Sequence, residues 1–228
     1  MDYRLVRSKN RKRTMTILIK PDGTVEMRVP YKTLQRDVDA FFKEKSPWVQ
    51  KKLMERRKRV EGEAAQPKQF ITGEIFFYLG ERYPLEICNM NGSRAPSLSL
   101  SYGIFLLDEK KAGEAQAIFI KWYKKRAKEL FAERVYHYSR QLSLFPEDIR
   151  ITSAQYRYGS CSARNNLSFS WRLMLAPLPV IDYIIIHELT HIKIKNHSKK
   201  FWESVGASMP DFRTHKRWLK EHGYSLKL

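Results

Sequence analysis

Half of this chain's six histidines fall within "IIIHELTHIKIKNHS" (184–198), and a glutamate directly follows the first of them. On an α-helix, residues four apart lie about 40° apart around the axis and about 6 Å along it. His187 and His191 can therefore aim their ring nitrogens at one metal ion, at roughly 2.0–2.1 Å each for Zn²⁺. Glu188 points about 100° away from His187, a poor angle for a ligand and a good one for taking a proton from water at the metal. That is the mechanical logic of His-Glu-x-x-His: two ligands and a general base within one turn.

A catalytic zinc site uses a third protein ligand and keeps one position open. His197 is the candidate. In a continuing helix it would stand about 9 Å beyond His191 and roughly 240° round, out of reach. The chain must therefore leave the helix between them. Asn196 tolerates the left-handed conformation that such an exit uses, and Ser198 is suited to cap the next helix. One Zn²⁺ per chain, held by His187, His191 and His197 with Glu188 as base, is the expectation.

These residues need a scaffold. Residues 3–7, 14–19 and 24–29 read as short strands, with "KPDGTV" (20–25) turning between the last two. An apolar stripe over 33–60 predicts helix, with a break near Ser46-Pro47 where a second helix would start. Residues 70–88 and 96–107 read as hairpins turning at Gly80-Glu81 and near Tyr102-Gly103. A long amphipathic helix follows from Lys111 to about Gln141, with Ala117, Ile120, Trp122, Tyr123, Ala127, Leu130, Phe131 and Val135 facing inward. Strands over 149–159 and 166–175, a helix around 180–194, and helices near 198–207 and 210–222 complete the chain. The fold class is α+β. A β-rich N-terminal region with one helical segment (1–108) precedes a helix-and-sheet region (109–228), with a soft boundary that allows one continuous unit.

Other residues are weaker candidates. Arg164, Arg172 and Tyr224 could contact substrate or stabilise an oxyanion. Asp182 could orient a metal ligand from behind. The strand 166–171 could bind an extended peptide by strand addition or simply be core. Cys161 invites a nucleophile reading, but the nearby histidines are better explained by metal, so it reads as a small buried residue. His137, His215 and His222 read as surface or satisfied positions.

Bulk composition narrows the setting. Lys and Arg number 43 against 24 Asp and Glu, for a formal net charge of +19. Such a surface attracts polyanions, although a solvated basic face explains it equally well. No apolar run reaches the length of a membrane span, and the basic start lacks the pattern of a signal peptide. Cys88 and Cys161 are far apart and form no CxxC pair, which argues against a disulfide framework. The expected location is the cytoplasm.

The block "YRYGSCSARNNLSFSWRLMLAPLPVIDYIIIHELTHIKIKNHSKKFW" (156–202) resembles the YgjP-like zinc metallopeptidases, relatives of the SprT-like and WLM proteases. "RSKNRKRTMTILIKPDGTVEMRVP" and "PDFRTHKRWLKEHGY" fit the same pattern, so the likeness covers nearly the whole chain. It implies a gluzincin-like, zincin-type catalytic domain whose HExxH helix packs on a small sheet, and a peptide or protein substrate. Tyr158 departs from the tryptophan usual in the family. Ile194 stands where the metzincin proteases, which share the offset between histidines, have a turn glycine, so a different exit from the helix is expected.

Two rival functions remain. A basic cleft could hold a triphosphate, giving a metal-dependent nucleoside triphosphate pyrophosphatase or hydrolase. The chain has no P-loop and no dense carboxylate cluster for Mg²⁺, which weighs against it. A nucleic-acid-associated protease or binding module is the other, without a recognition helix or aromatic-stacking signature to carry it.

Overall fold

The computed structural model describes residues 2–20, 23–62, 68–90, 96–155 and 157–228. It is a mixed α+β protein that divides into two compact units, Met1–Gln66 and Pro67–Leu228. The division falls earlier than 108, because both hairpins bury their apolar faces in the same core as the helices after them. Phe76 and Phe105, one from each hairpin, meet Phe119 at ring separations of 4.3 and 5.2 Å.

In the first unit, strands β1 (Arg4–Ser8) and β2 (Thr16–Ile19) flank β3 (Val25–Pro30), parallel and antiparallel to it respectively. The expected turn at 20–25 includes Pro21 and Asp22, which lie outside the described residues. Helix α1 (Gln35–Gly62) lays Val38 on Met27 and Val29. It runs unbroken through Pro47, so the expected break at Ser46-Pro47 does not occur. A proline removes one amide and crowds one carbonyl, which a long helix can absorb at a local cost.

The second unit opens with a four-stranded sheet, ordered β4 (Ile75–Tyr78), β5 (Glu81–Cys88), β7 (Ile104–Asp108) and β6 (Leu98–Ser101). The first hairpin turns at Leu79-Gly80, one residue before the expected pair, with both residues at positive φ. The second turns at Tyr102-Gly103 as expected. A 3-10 turn (Glu109–Glu114) leads into α2 (Ala115–Leu142). Its buried residues are Ala115, Phe119, Tyr123, Ala127, Phe131, Val135 and Ser139, one every fourth position. Ala117, expected inside, is exposed, and Phe119 takes the inward place.

A three-stranded sheet follows, with β10 (Leu167–Ser170) between β8 (Ile149–Thr152) and β9 (Gly159–Cys161). A 3-10 turn (Trp171–Leu175) then delivers the chain to α3 (Leu178–Lys193). Helix α3 contains Val180, Ile181, Ile184, Ile185 and Ile186, β-branched residues that are indifferent helix formers. Tertiary burial overrides that preference. All five are buried, and each contributes about 1.5–3 kcal/mol by leaving water. Helices α4 (Lys199–Ser208) and α5 (Phe212–His222) close the unit.

Three devices hold α3 in place. At its start, the Leu79 amide donates to the Met174 carbonyl at 2.7 Å. Gly80 lies so close to Pro177 that an added Cβ would stand 2.8 Å from the proline ring. Along its flank, Arg134 of α2 donates from Nε and Nη2 to the two oxygens of Asp182, at 2.8 and 2.6 Å. Among the described residues no helix is long and apolar enough to cross a membrane.

Candidate metal centre and catalytic helix

His187 and His191 sit one turn apart on α3, and His197 lies in the short link to α4. Nε2 of His197 is 3.0 Å from Nε2 of His187 and 3.1 Å from Nε2 of His191. Potential ligand atoms of the three residues all lie within 4.8 Å of one another.

The exit from the helix differs from the one expected. Ile194 leaves α3 in extended conformation, with φ −126° and ψ 100°. Asn196 is not among the residues at positive φ; its Oδ1 instead accepts the Ser198 amide at 3.3 Å. Ser198 does occupy the N-cap position of α4, without a side-chain capping bond. The extended Ile194 has a chemical consequence. Its carbonyl lies 2.9 Å from Nδ1 of His191 and accepts that nitrogen's proton, which leaves Nε2 with a lone pair facing the other histidines.

Aromatic rings back the cluster. Phe201 is fully buried in the first turn of α4 and touches all three imidazoles, with ring centroids 4.9, 4.5 and 4.8 Å from His187, His191 and His197. Trp202 stacks on His197 at 5.6 Å, and Nζ of Lys216 in α5 lies over the Trp202 ring, 3.7 Å from its centroid. Burial pushes the His187 imidazole down to about 3, helped by His191, His197 and Lys216. Burial, then His191 and Lys216, also lowers His197. Both shifts favour the neutral imidazole, the form that ligates metal.

The donor set fits a metal ion. Tetrahedral Zn–N bonds place nitrogens roughly 3.3 Å apart, and the observed separations of 3.0 and 3.1 Å need only small outward shifts. Nδ1 of His187 is buried without a hydrogen-bond partner among the described residues.

Glu188 is 5 % exposed and lies against β9. Burial pushes its carboxyl up to about 7, while the Arg157 guanidinium pulls the other way. Among the described residues it has no hydrogen bond or ion pair, which leaves its oxygens available for chemistry.

The remaining candidates disperse. Asp182 commits both oxygens to Arg134, so it fastens α3 to α2 and orients no histidine. Arg172 donates to the Ser153 carbonyl at 2.8 Å and lies over the Trp171 ring at 4.5 Å, a structural arrangement. Arg164 is exposed in the turn after β9. Tyr224 lies in the closing 3-10 turn, Gly223–Ser225. The neighbouring Gly223 carbonyl accepts the Tyr158 hydroxyl, so this tyrosine ties the residue before β9 to the closing 3-10 turn.

Strand β10 cannot take a substrate strand, because β8 and β9 occupy both its edges. Burial raises the Cys161 thiol, opposed by Lys195, so it is not an activated nucleophile. Lys195 is instead a clasp, donating to Asn165 Oδ1 at 2.7 Å and to the Ser162 carbonyl at 3.3 Å. His137 packs on Tyr138, His215 meets Asp211 at 2.9 Å, and His222 meets the Trp218 carbonyl at 3.1 Å, all outside the cluster.

Phe201, Trp202 and Gly159 are the site residues that spacing alone did not reveal. The "FW" pair at 201–202, four residues after the third histidine, was the available signal for the first two.

A HExxH helix joined to a third histidine, beside a buried glutamate, defines a candidate metallohydrolase centre. The family model described as "YgjP-like, metallopeptidase domain" matches residues 13–222, and the chain belongs to that family. It is thus a metallopeptidase-family hydrolase, a class that implies a metal and a peptide or protein substrate. A crystal structure of the metallopeptidase zymogen of Pyrococcus abyssi abylysin is similar over 40 % of this chain and 93 % of that one, at 20 % identity and a TM-score of 0.37. No curated protein matches the chain.

Proposed function

We propose that the protein is a zinc-dependent peptidase in which His187, His191 and His197 hold one Zn²⁺ and Glu188 is the general base. The observation that carries this reading is the convergence of three imidazoles beside a buried glutamate that has no hydrogen bond or ion pair among the described residues. Zinc bound there would supply Lewis-acid polarisation of the scissile carbonyl and ease deprotonation of the attacking water.

The chain's own residues do the rest. His191 is held in its ligating tautomer by the Ile194 carbonyl, and Phe201 fixes the imidazole planes by contact. Glu188 takes a proton from the attacking water onto a carboxylate oxygen and returns it to the leaving nitrogen. A carboxyl near 7 is matched to both halves of that task at neutral pH.

Substrate binds along β9 in this reading. Tyr158 and Ser162 direct backbone bonds toward β10, as in Ser170 N to Tyr158 O at 2.8 Å and Ser162 N to Asn166 O at 2.9 Å. By antiparallel alternation, Gly159 and Cys161 then turn their backbone groups outward, along the edge of β9 away from β10, while the strand itself packs near α3. An extended peptide adding to that edge lies beside Glu188.

The test is hydrolysis of casein or a quenched fluorescent peptide, with nucleoside triphosphates as the competing substrate and Glu188→Gln as control. Peptide cleavage abolished by chelator and by Glu188→Gln is the expected result. Cleavage of triphosphates alone would overturn the peptidase reading in favour of a nucleotide hydrolase.

A further inference from the structure

We infer that Gly159 is a positioning residue for Glu188, its missing side chain forming the seat in which the glutamate lies. The inference rests on the reading of Glu188 as the base. A Cβ added at Gly159 would stand 2.6 Å from Oε1, 2.7 Å from Cγ and 2.9 Å from Cδ of Glu188. Its three nearest neighbours thus all belong to one side chain, which lies lengthwise across the glycine's Cα.

Backbone conformation does not call for glycine here. Gly159 begins β9, pairs with Phe169, and is not among the positive-φ residues. What position 159 supplies is space. Even alanine would occupy the volume that Cγ, Cδ and Oε1 now fill.

This contact does work that hydrogen bonds do elsewhere. Among the described residues Glu188 accepts no hydrogen bond and forms no ion pair. A donor that fixed the carboxylate would also stabilise its charged form and weaken it as a base. Packing against a bare Cα restrains the side chain and leaves both oxygens free. Displacing a base by about 1 Å can cost on the order of 100-fold in rate.

The contacted atoms are the far part of a side chain with rotatable bonds, so alanine at 159 pushes Glu188 aside and the fold survives. The experiment is a double-mutant cycle of Gly159→Ala and Glu188→Ala, read by zinc content, thermal melting and peptide hydrolysis. Gly159→Ala alone is expected to keep its zinc, to melt about 2–4 °C lower, and to lose on the order of 100-fold in kcat at unchanged KM. In the Glu188→Ala background, the same substitution is expected to lower neither the melting temperature nor the residual rate.

Full kcat in Gly159→Ala, or an equal melting loss in both backgrounds, overturns the proposal. If the wild type cleaves no peptide, the peptidase reading fails separately and melting alone decides the seat. A loss that disappears with the Glu188 side chain upholds it, and any other pattern overturns it.

Discussion

Helices α1 and α3 show two ways in which sequence and burial produce a helix. Through residue 54, α1 buries only Val38 and Val49, and it carries a proline within its length. Helix α3 is 16 residues long and buries ten of them, from Val180 to Thr190. The first is a mostly solvated helix resting on a small sheet. The second is a rod through the core whose poor intrinsic propensity is overridden by packing. The difference matters for function, because the rod carries the residues that must stay fixed. The two histidines and the glutamate proposed as ligands and base share α3 and inherit the rigidity of the core, whereas α1 has no such cluster among the described residues.

That contrast can be broken at several points. The largest effect is chemical. Glu188→Gln removes the base while nearly keeping its shape, so kcat for peptide hydrolysis is expected to fall about 10²–10⁴-fold. Zinc content and melting temperature should stay close to wild type. A variant that loses its metal as well would show that Glu188 holds the site together.

The next effect concerns the anchorage of α3. Asp182→Ala leaves the Arg134 guanidinium, which is mostly buried, without its bidentate partner. The expected loss is about 3 kcal/mol in urea unfolding, at the lower end for breaking a buried pair. Double substitution of Arg134 and Asp182 to matched apolar residues should recover much of it. A loss below about 0.5 kcal/mol would place Asp182 with ordinary surface ion pairs.

The smallest effect lies in α1. Pro47 sits where an interior proline costs about 3 kcal/mol, partly offset by its restriction of the unfolded chain, worth about 1 kcal/mol. Pro47→Ala is therefore expected to raise stability by roughly 1–2 kcal/mol in denaturant unfolding. Destabilisation would mean that the helix depends on a bend at this proline.

Chemistry with short sequence separation was the most legible. HExxH is read from helical geometry because both histidines and the glutamate share one turn. His197 follows from the need to leave the helix, although the means of leaving did not. Asn196 was the natural turn residue by conformational preference. The chain instead extends at Ile194, whose carbonyl is then placed to meet His191. Local preference could not anticipate that, because the stabilising partner is a side chain one turn back.

Long-range pairings were less legible still. Strand β10 has the pattern of an edge or a core strand, and only the pairing of β8 and β9 on either side decides between them. The inward stripe of α2 was partly out of phase, because Ala117 and Phe119 are both apolar and only their neighbours decide which is buried. Gly159 gave no signal at all: a glycine that makes room for a residue 29 positions away looks, in sequence, like any glycine at the start of a strand.

The central claim is that three histidines form one metal site. Elemental analysis of untagged protein, wild type beside His197→Ala, tests it most directly. The account predicts about one zinc per wild-type chain and a marked loss in the variant. Full zinc retention in His197→Ala, or no zinc in the wild type after adding it back, would contradict the account.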